Sequence, residues 1–284
     1  MTAAGPDGLD GLVVWVDGVL APASEARVSP FDHGLLTGDG VFETLRVLGG
    51  RPFAITRHLE RLDRSARGLG LDPPAHDLVT SAMAAVVAAN GLDEARLRVT
   101  VTGGPSALGS EREPGPPTVV VAGCPQAPWP ATAEVAVVPW PRNERGALVG
   151  LKTVSYGENV VALAHARRRG AGEAIFGNLA GNLCEGTGTN VFCAVDGRLL
   201  TPPLRSGCLA GVTRDLVIEL TGAVEEDLEL DRFASVDEAF LTSSTRDVQP
   251  ISVVDGTSLA AAPGPLTREA AAAFAALVAR DLDP

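Results

Sequence analysis

Leu151-Lys152-Thr153-Val154-Ser155, then Cys184-Glu185-Gly186-Thr187-Gly188-Thr189-Asn190-Val191-Phe192, then Leu209-Ala210-Gly211-Val212-Thr213-Arg214 are the three pieces on which the reading of this chain turns. The first carries a lysine, whose amine condenses with an aldehyde. The second carries a carboxylate, Glu185, able to hold a proton on a pyridine nitrogen. Short Gly/Thr turns in the second and third aim backbone N–H groups at a phosphate. An aldehyde, a pyridinium and a phosphate in one molecule match pyridoxal 5'-phosphate.

Composition bounds the rest. A chain of 284 residues is long for one core, and two domains are expected. With 45% hydrophobic and 20% charged residues it can bury sizeable cores, while 32 Gly and 21 Pro imply many tight connections, which favours an α/β (α+β) mixture over a helical bundle. The run Met1-Thr2-Ala3-Ala4-Gly5-Pro6-Asp7 has neither a basic n-region nor an apolar h-region, and no later run approaches a membrane span, so a cytoplasmic protein is expected. Cys124, Cys184, Cys193 and Cys208 show no CxxC spacing, so reduced thiols and no metal site are expected. A net charge of −12 argues against nucleic acid or an anionic membrane as partner, and any anionic ligand must be drawn by local donors.

Along the chain, Val13–Val16 and Val19–Leu20 flank Asp17-Gly18 as a hairpin. The Gly34–Gly40 loop lacks the Gly-Lys-Ser/Thr ending of a nucleotide P-loop. It leads into the β-rich run Val41–Val47, where Phe42, Thr44 and Arg46 share one face. Helical spacing of Ile55, Leu59, Leu62 and Leu69 predicts an amphipathic helix with His58, Arg61 and Ser65 on an adjoining stripe; by pattern alone Arg61 is a solvated surface residue. A second helix is expected from His76 to Asn90, with Leu78, Ala82, Val86 and Ala89 inward. Strict alternation over Arg96–Thr102 gives a strand with Leu97, Val99 and Val101 in the core. Prolines at 125, 128 and 130 mark a stiff linker, dividing the chain into 1–122, a connection at 123–131, and 132–284. In the second part, helices are expected over Glu158–Arg167, from Thr213, and over Thr267–Arg280, with strands around Ala174–Phe176, Val191–Val195, Leu199–Thr201 and Phe240. The basic triplet Arg167-Arg168-Arg169 suits a helix C-terminus and needs no partner.

The run Glu185-x-Thr187-x-x-Asn190-Val191-Phe192, with Leu199-x-Thr201 and Leu209-x-Gly211-Val212-x-Arg214, resembles the signature of the class-IV aminotransferase family. Further matches lie at Gly38–Glu43, His58–Leu62 and Thr242–Thr245, so the resemblance covers roughly residues 12 to 280. It implies a fold-type IV pyridoxal-phosphate enzyme of two domains with the cofactor in the cleft between them. Lys152 is then the cofactor's tether and proton carrier, and Glu185 the partner of the ring nitrogen. Arg61, Thr189, Asn190, Gly211, Val212, Thr213 and Ser244 complete the cofactor contacts. Tyr156 either meets the cofactor's phenolic oxygen or simply packs. A homodimer is implied too, with residues 103–117 reaching a neighbour's site.

Which reaction follows depends on the substrate side. D-amino-acid aminotransferases resemble this chain less, because their carboxylate trap is replaced by Leu35 and Gly103-x-Pro105. Thr44, where branched-chain enzymes usually have glycine, and basic Arg98 resemble aminodeoxychorismate lyases. The expectation is therefore a lyase releasing 4-aminobenzoate and pyruvate for folate synthesis, with Thr44 near the leaving group. Arg46, Arg98 and Thr245 would bind substrate, and Arg112 would stand in for a second arginine. The alternative is a transaminase for a small amino acid or amine.

Overall fold

The computed structural model describes Leu9 and residues 11–284; the reading of Met1–Asp7 lies outside the described residues. These residues form two compact units, one running up to Pro128 with Leu151–Ser155 and Leu282–Pro284, the other made of Trp129–Gly150 and Tyr156–Asp281.

The first unit contains β1 (Val13–Val16), β2 (Val19–Pro22), α1 (His33–Thr37), β3 (Gly40–Leu48), β4 (Arg51–Pro52), α2 (Ile55–Gly68), α3 (His76–Asn90), β5 (Ala95–Thr102) and β6 (Thr118–Pro125). Its antiparallel sheet has the order β2-β1-β6-β5-β3-β4. Alternation aims Val41, Leu45 and Val47 of β3, Leu97, Val99 and Val101 of β5, and Val119 and Val121 of β6 into one core with α2 and α3. Each such side chain contributes about 1.5–3 kcal/mol on burial. The apolar stripe of α3 is Val79, Ala82, Met83, Val86 and Val87, whereas Leu78 and Ala89 are exposed. The i, i+3, i+4, i+7, i+8 spacing of the buried set follows the 3.6-residue period more closely than the set expected from sequence.

Two segments distant in sequence join this unit. Short β4 pairs only with Val47 and Leu48, leaving the Gly40–Phe42 edge of β3 for residues 152–154. Phe42 donates its N–H to the Lys152 carbonyl at 2.9 Å, Val154 donates to Gly40 at 2.8 Å, and Val41 bridges Thr153. Residues 151–155, assigned by the proline-based division to the C-terminal part, thus pack with the N-terminal unit. Residues 123–125 of the expected linker belong to β6.

The second distant segment is the tail beyond Asp281. Ala54 precedes α2 in the left-handed region and supplies no side-chain cap. Asp283 takes that place: Oδ1 accepts from the Thr56 N–H at 2.9 Å and Oδ2 from the Thr56 hydroxyl at 2.6 Å. A carboxylate also suits the positive end of the helix dipole. Replacing Asp283 with alanine is expected to lower stability by about 0.5–2 kcal/mol, read as a fall in the thermal midpoint.

The second unit contains β7 (Ala133–Val137), α4 (Gly157–Arg168), β8 (Glu173–Gly177), β9 (Leu183–Gly186), β10 (Asn190–Val195), β11 (Arg198–Thr201), α5 (Val212–Thr221), β12 (Val224–Glu225), β13 (Glu238–Ser243), β14 (Asp247–Val254), β15 (Thr257–Ser258) and α6 (Pro265–Arg280). The sheet runs β12-β11-β10-β13-β14-β7-β8-β9, with β15 paired to β14. Asp196-Gly197 joins β10 to β11 with both residues at positive φ, as Asp17-Gly18 joins β1 to β2. Ala162 and Ala166 of α4 pack on Ala136, Ala174 and Phe176, and a separate core gathers Ile175, Val191, Leu241 and Ile251. Among the described residues no helix is long and apolar enough to cross a membrane, and no His/Cys/Asp/Glu group has metal-binding form.

All four cysteines are free thiols. Burial pushes the Cys184 and Cys193 thiols far up and Cys208 to about 11, whereas Cys124 is half-buried. In the native protein a thiol-reactive dye is expected to label Cys124 well before the other three.

Candidate active site

In the first unit Lys152 is held by its backbone: its carbonyl accepts from Phe42, and its N–H donates to Ser65 Oγ of α2 at 3.1 Å. The side chain lies along Phe42, with Nζ 4.5 Å from the ring centroid. The Arg98 guanidinium stands 3.6 Å from the same centroid. Thr44 pairs in register with Arg98 and Arg46 with Arg96, so Thr44, Arg46 and Arg98 occupy the sheet face opposite the helices. Arg46 is in an ion pair with Glu94 at 3.3 Å, and Arg98 Nε donates to Thr100 Oγ1 at 3.1 Å.

On the helix-facing side of β3, amid Val41, Leu45 and Val47, sits Glu43, fully buried. Arg61 donates to it from Nε at 2.8 Å and from Nη2 at 2.7 Å, and His58 Nδ1 lies 2.7 Å from Oε2. Arg61 is 4% exposed, so the solvated reading of this arginine is overturned: its stripe on α2 faces Glu43. Burial opposes the charge on Glu43, but Arg61 and then His58 outweigh it and hold the carboxyl far below the ordinary range. Burial, assisted by the charges of Arg61 and Lys152 against the pull of Glu43, holds His58 below its ordinary value. A group with a depressed pKa stabilises the fold above its unfolded value and loses that contribution as pH falls. Thermal stability is therefore expected to begin falling as pH drops below the ordinary histidine value of 6.5 and to fall further below the ordinary glutamate value of 4.5. A pH series of melting curves checks this.

The loop from Gly103 to Pro117 is anchored by Arg112. Its Nε and Nη2 donate to Asp39 at 2.8 and 2.5 Å, Nη1 donates to the Gly70 carbonyl at 2.5 Å, and Nη2 also reaches the Leu69 carbonyl. His33 adds a second hold, with Nδ1 on Asp39 and Nε2 on the Gly109 carbonyl, each at 3.0 Å. Arg112 is committed to structure and is not an available cation for a substrate. Asp39 lies below the usual carboxylate range, because hydrogen bonds from Arg112 and His33 outweigh its burial.

In the second unit, Glu185 on β9 accepts the Leu209 N–H through Oε2 at 2.9 Å, and its Oε1 lies 3.3 Å from Arg142 Nε. Arg142 in turn rests 4.1 Å from the Phe176 ring centroid. Asn190 donates from Nδ2 to the Leu209 carbonyl at 2.9 Å, tying the start of β10 to the approach to α5. Gly211, the residue before α5, packs so closely that a Cβ there would stand 2.0 Å from Asn190 Oδ1. Asn190 is also opposite Thr242 on β13, and Ser244 and Thr245 lie in the turn that follows that strand. Glu185, Thr189, Asn190, Gly211, Val212, Thr213, Ser244 and Thr245 are thus drawn together in this unit, whereas Lys152, Arg61, Thr44, Arg46 and Arg98 belong to the first.

A family model described as "Amino-transferase class IV" matches residues 40–254. The chain belongs to the class IV aminotransferase family. An aminodeoxychorismate lyase of Bacillus subtilis is 30% identical over 267 residues, covering 90% of this chain and 91% of that protein. A branched-chain-amino-acid aminotransferase of Pseudomonas aeruginosa is 29% identical over 300 residues, covering 98% of this chain and 95% of its own. A branched-chain aminotransferase of Thermoproteus uzoniensis, solved with norvaline, superposes with a TM-score of 0.86 at 31% identity, covering 94% of each chain.

Pyridoxal phosphate is the cofactor of this class IV aminotransferase family, and the residues present fit it. No side chain caps the first turn of α5, so the N–H groups at Val212 and Thr213 are left to meet an anion. Among the described residues the buried Thr189 hydroxyl has no hydrogen-bond partner, a donor in want of a ligand. Glu185 would supply a carboxylate for a pyridinium, and Lys152, the chain's only lysine, would supply the amine.

Sequence reasoning passed over Glu173, Arg142 and Arg246, and gave Glu43 and His58 no role. A detectable signal existed for Glu173, an acid opening the wholly buried strand Glu173-Ala174-Ile175-Phe176-Gly177.

Proposed function

We propose that the protein is an aminotransferase that moves an amino group between a small amino acid of the branched-chain kind and a 2-oxo acid. One observation carries this choice over the lyase: 4-amino-4-deoxychorismate bears two carboxylates, and of the arginines expected beside Arg98 on the substrate side, Arg46 is paired with Glu94 and Arg112, the stand-in for a second arginine, is held by Asp39 and two backbone carbonyls. An amino acid has a single carboxylate, for which Arg98 is the proposed partner. Named branched-chain aminotransferases among the relatives support the same choice.

When bound, pyridoxal phosphate supplies an aldehyde that exchanges oxygen for the substrate amine and a ring that draws electrons from the amine-bearing carbon. With it bound, Lys152 Nζ would hold that aldehyde and would also move the proton at the amine-bearing carbon. Glu185 keeps a proton on the ring nitrogen, its carboxylate oriented by the Leu209 N–H and Arg142. Val212, Thr213, Ser244 and Arg61 bind the phosphate, and Thr189 and Asn190 shape the turn beside the ring. Thr44 and Thr245 line the substrate side, and Arg46, already paired with Glu94, takes a lesser part.

The test is a half-reaction on the loaded protein. A branched-chain amino acid alone should diminish the visible band while releasing one 2-oxo acid per active site, and a second 2-oxo acid should restore it. Equal yields of aminobenzoate and pyruvate from aminodeoxychorismate, with amino acids inert, would return the lyase reading to first place.

A further inference from the structure

Two turns carry the proposed cofactor contacts of the second unit: residues 187–189 between β9 and β10, and residues 244–246 between β13 and β14. One buried carboxylate grips both. Glu173 is 2% exposed; its Oε1 accepts from the Thr187 N–H at 3.1 Å and from the Thr187 hydroxyl, and its Oε2 accepts from Arg246 Nη2 at 2.8 Å. Arg246 is held in place from three further sides. Nη1 donates to Gln249 Oε1 at 2.8 Å, the guanidinium stacks 3.8 Å from the Trp129 ring centroid, and the backbone N–H returns to Ser243 at 3.2 Å. Gln249 then donates to the Pro130 carbonyl at 2.8 Å. Asn159 of α4 closes the other side by donating to the Thr187 carbonyl.

We infer that Glu173 and Arg246 are positioning residues that fix the Thr187–Asn190 turn against the Ser244–Thr245 turn, so that the phosphate-binding hydroxyl and the ring-side turn keep one spacing. The inference rests on the proposed assignment of Ser244 to the phosphate. Neither residue needs to touch the cofactor. The pair acts because a buried, charge-assisted hydrogen bond tolerates little displacement, and each partner is bonded to the turn it controls.

The experiment compares affinity for pyridoxal phosphate with affinity for pyridoxal, which lacks the phosphate, in apo-protein of the wild type, Glu173→Gln, Arg246→Gln and the double variant. The single variants are expected to bind pyridoxal phosphate about tenfold more weakly while pyridoxal affinity holds. The double variant leaves no charge buried alone and can re-form one amide hydrogen bond, so it should fold even where a single variant does not, and recover part of the loss. A purely structural pair would lower both affinities together, and that result, or an unchanged ratio in every folded variant, overturns the inference. A wild type that binds neither compound instead defeats the cofactor-site reading beneath it.

Discussion

Replacing Lys152 with alanine is expected to reduce amino-group transfer on the order of 10⁴-fold, since the proposed roles of tether and proton carrier fall on the same nitrogen. No second lysine exists in the chain to take over. The fold should survive. The backbone of residue 152 makes the hydrogen bonds to Phe42 and Ser65, and alanine keeps both. Steady-state rates with a branched-chain amino acid and a second monocarboxylic 2-oxo acid, beside melting curves, check the two halves of this expectation. A comparable loss of stability would mean that the side chain matters to the fold, and a modest loss of rate would mean that the proton moves elsewhere.

The largest expected effect on folding belongs to Glu43. Substituting alanine leaves the Arg61 guanidinium buried beneath β3 without its carboxylate, and breaking a buried pair in this way costs about 3–5 kcal/mol. Against a typical total of about 5–15 kcal/mol, that is a large share of the stability and should lower the thermal midpoint by many degrees. The double change of Glu43 and Arg61 to apolar residues of similar volume should recover a good part of the stability while still binding pyridoxal phosphate weakly. Chemical denaturation midpoints for the single and double variants measure the coupling directly. Additive effects would indicate that the two side chains act independently despite their 2.7 Å contact.

Local chemistry made much of this fold legible in the sequence. Alternation over β5 gave the buried Leu97, Val99 and Val101, and helical spacing gave α2. Gly211 before a helix start and Glu185 in a strand were found through the chemistry they offer. What stayed hidden depends on pairings across long sequence separations. Residues 151–155 look like a connection until the open edge of β3 is seen to take them in. Arg61 looks solvated until Glu43 is found on the apolar face of its strand. Arg112 passes for a substrate cation because its partners, Asp39 and the carbonyls at the end of α2, lie about forty to seventy residues away in sequence. The misplaced inner face of α3 has another origin. From Ala82 to Ala89 its residues are all apolar, so hydrophobic spacing discriminates weakly among rotations of the helix.

The one lysine in the chain is the proposed tether of pyridoxal phosphate. Borohydride reduction of the loaded protein fixes the cofactor to whichever amine carries it, and peptide mass spectrometry locates the added mass. A near-stoichiometric label is expected on the peptide containing Lys152, with loss of the visible band and none of the label on the chain's N-terminal amine. An unlabelled Lys152 in protein that nonetheless binds the cofactor and turns over would contradict it.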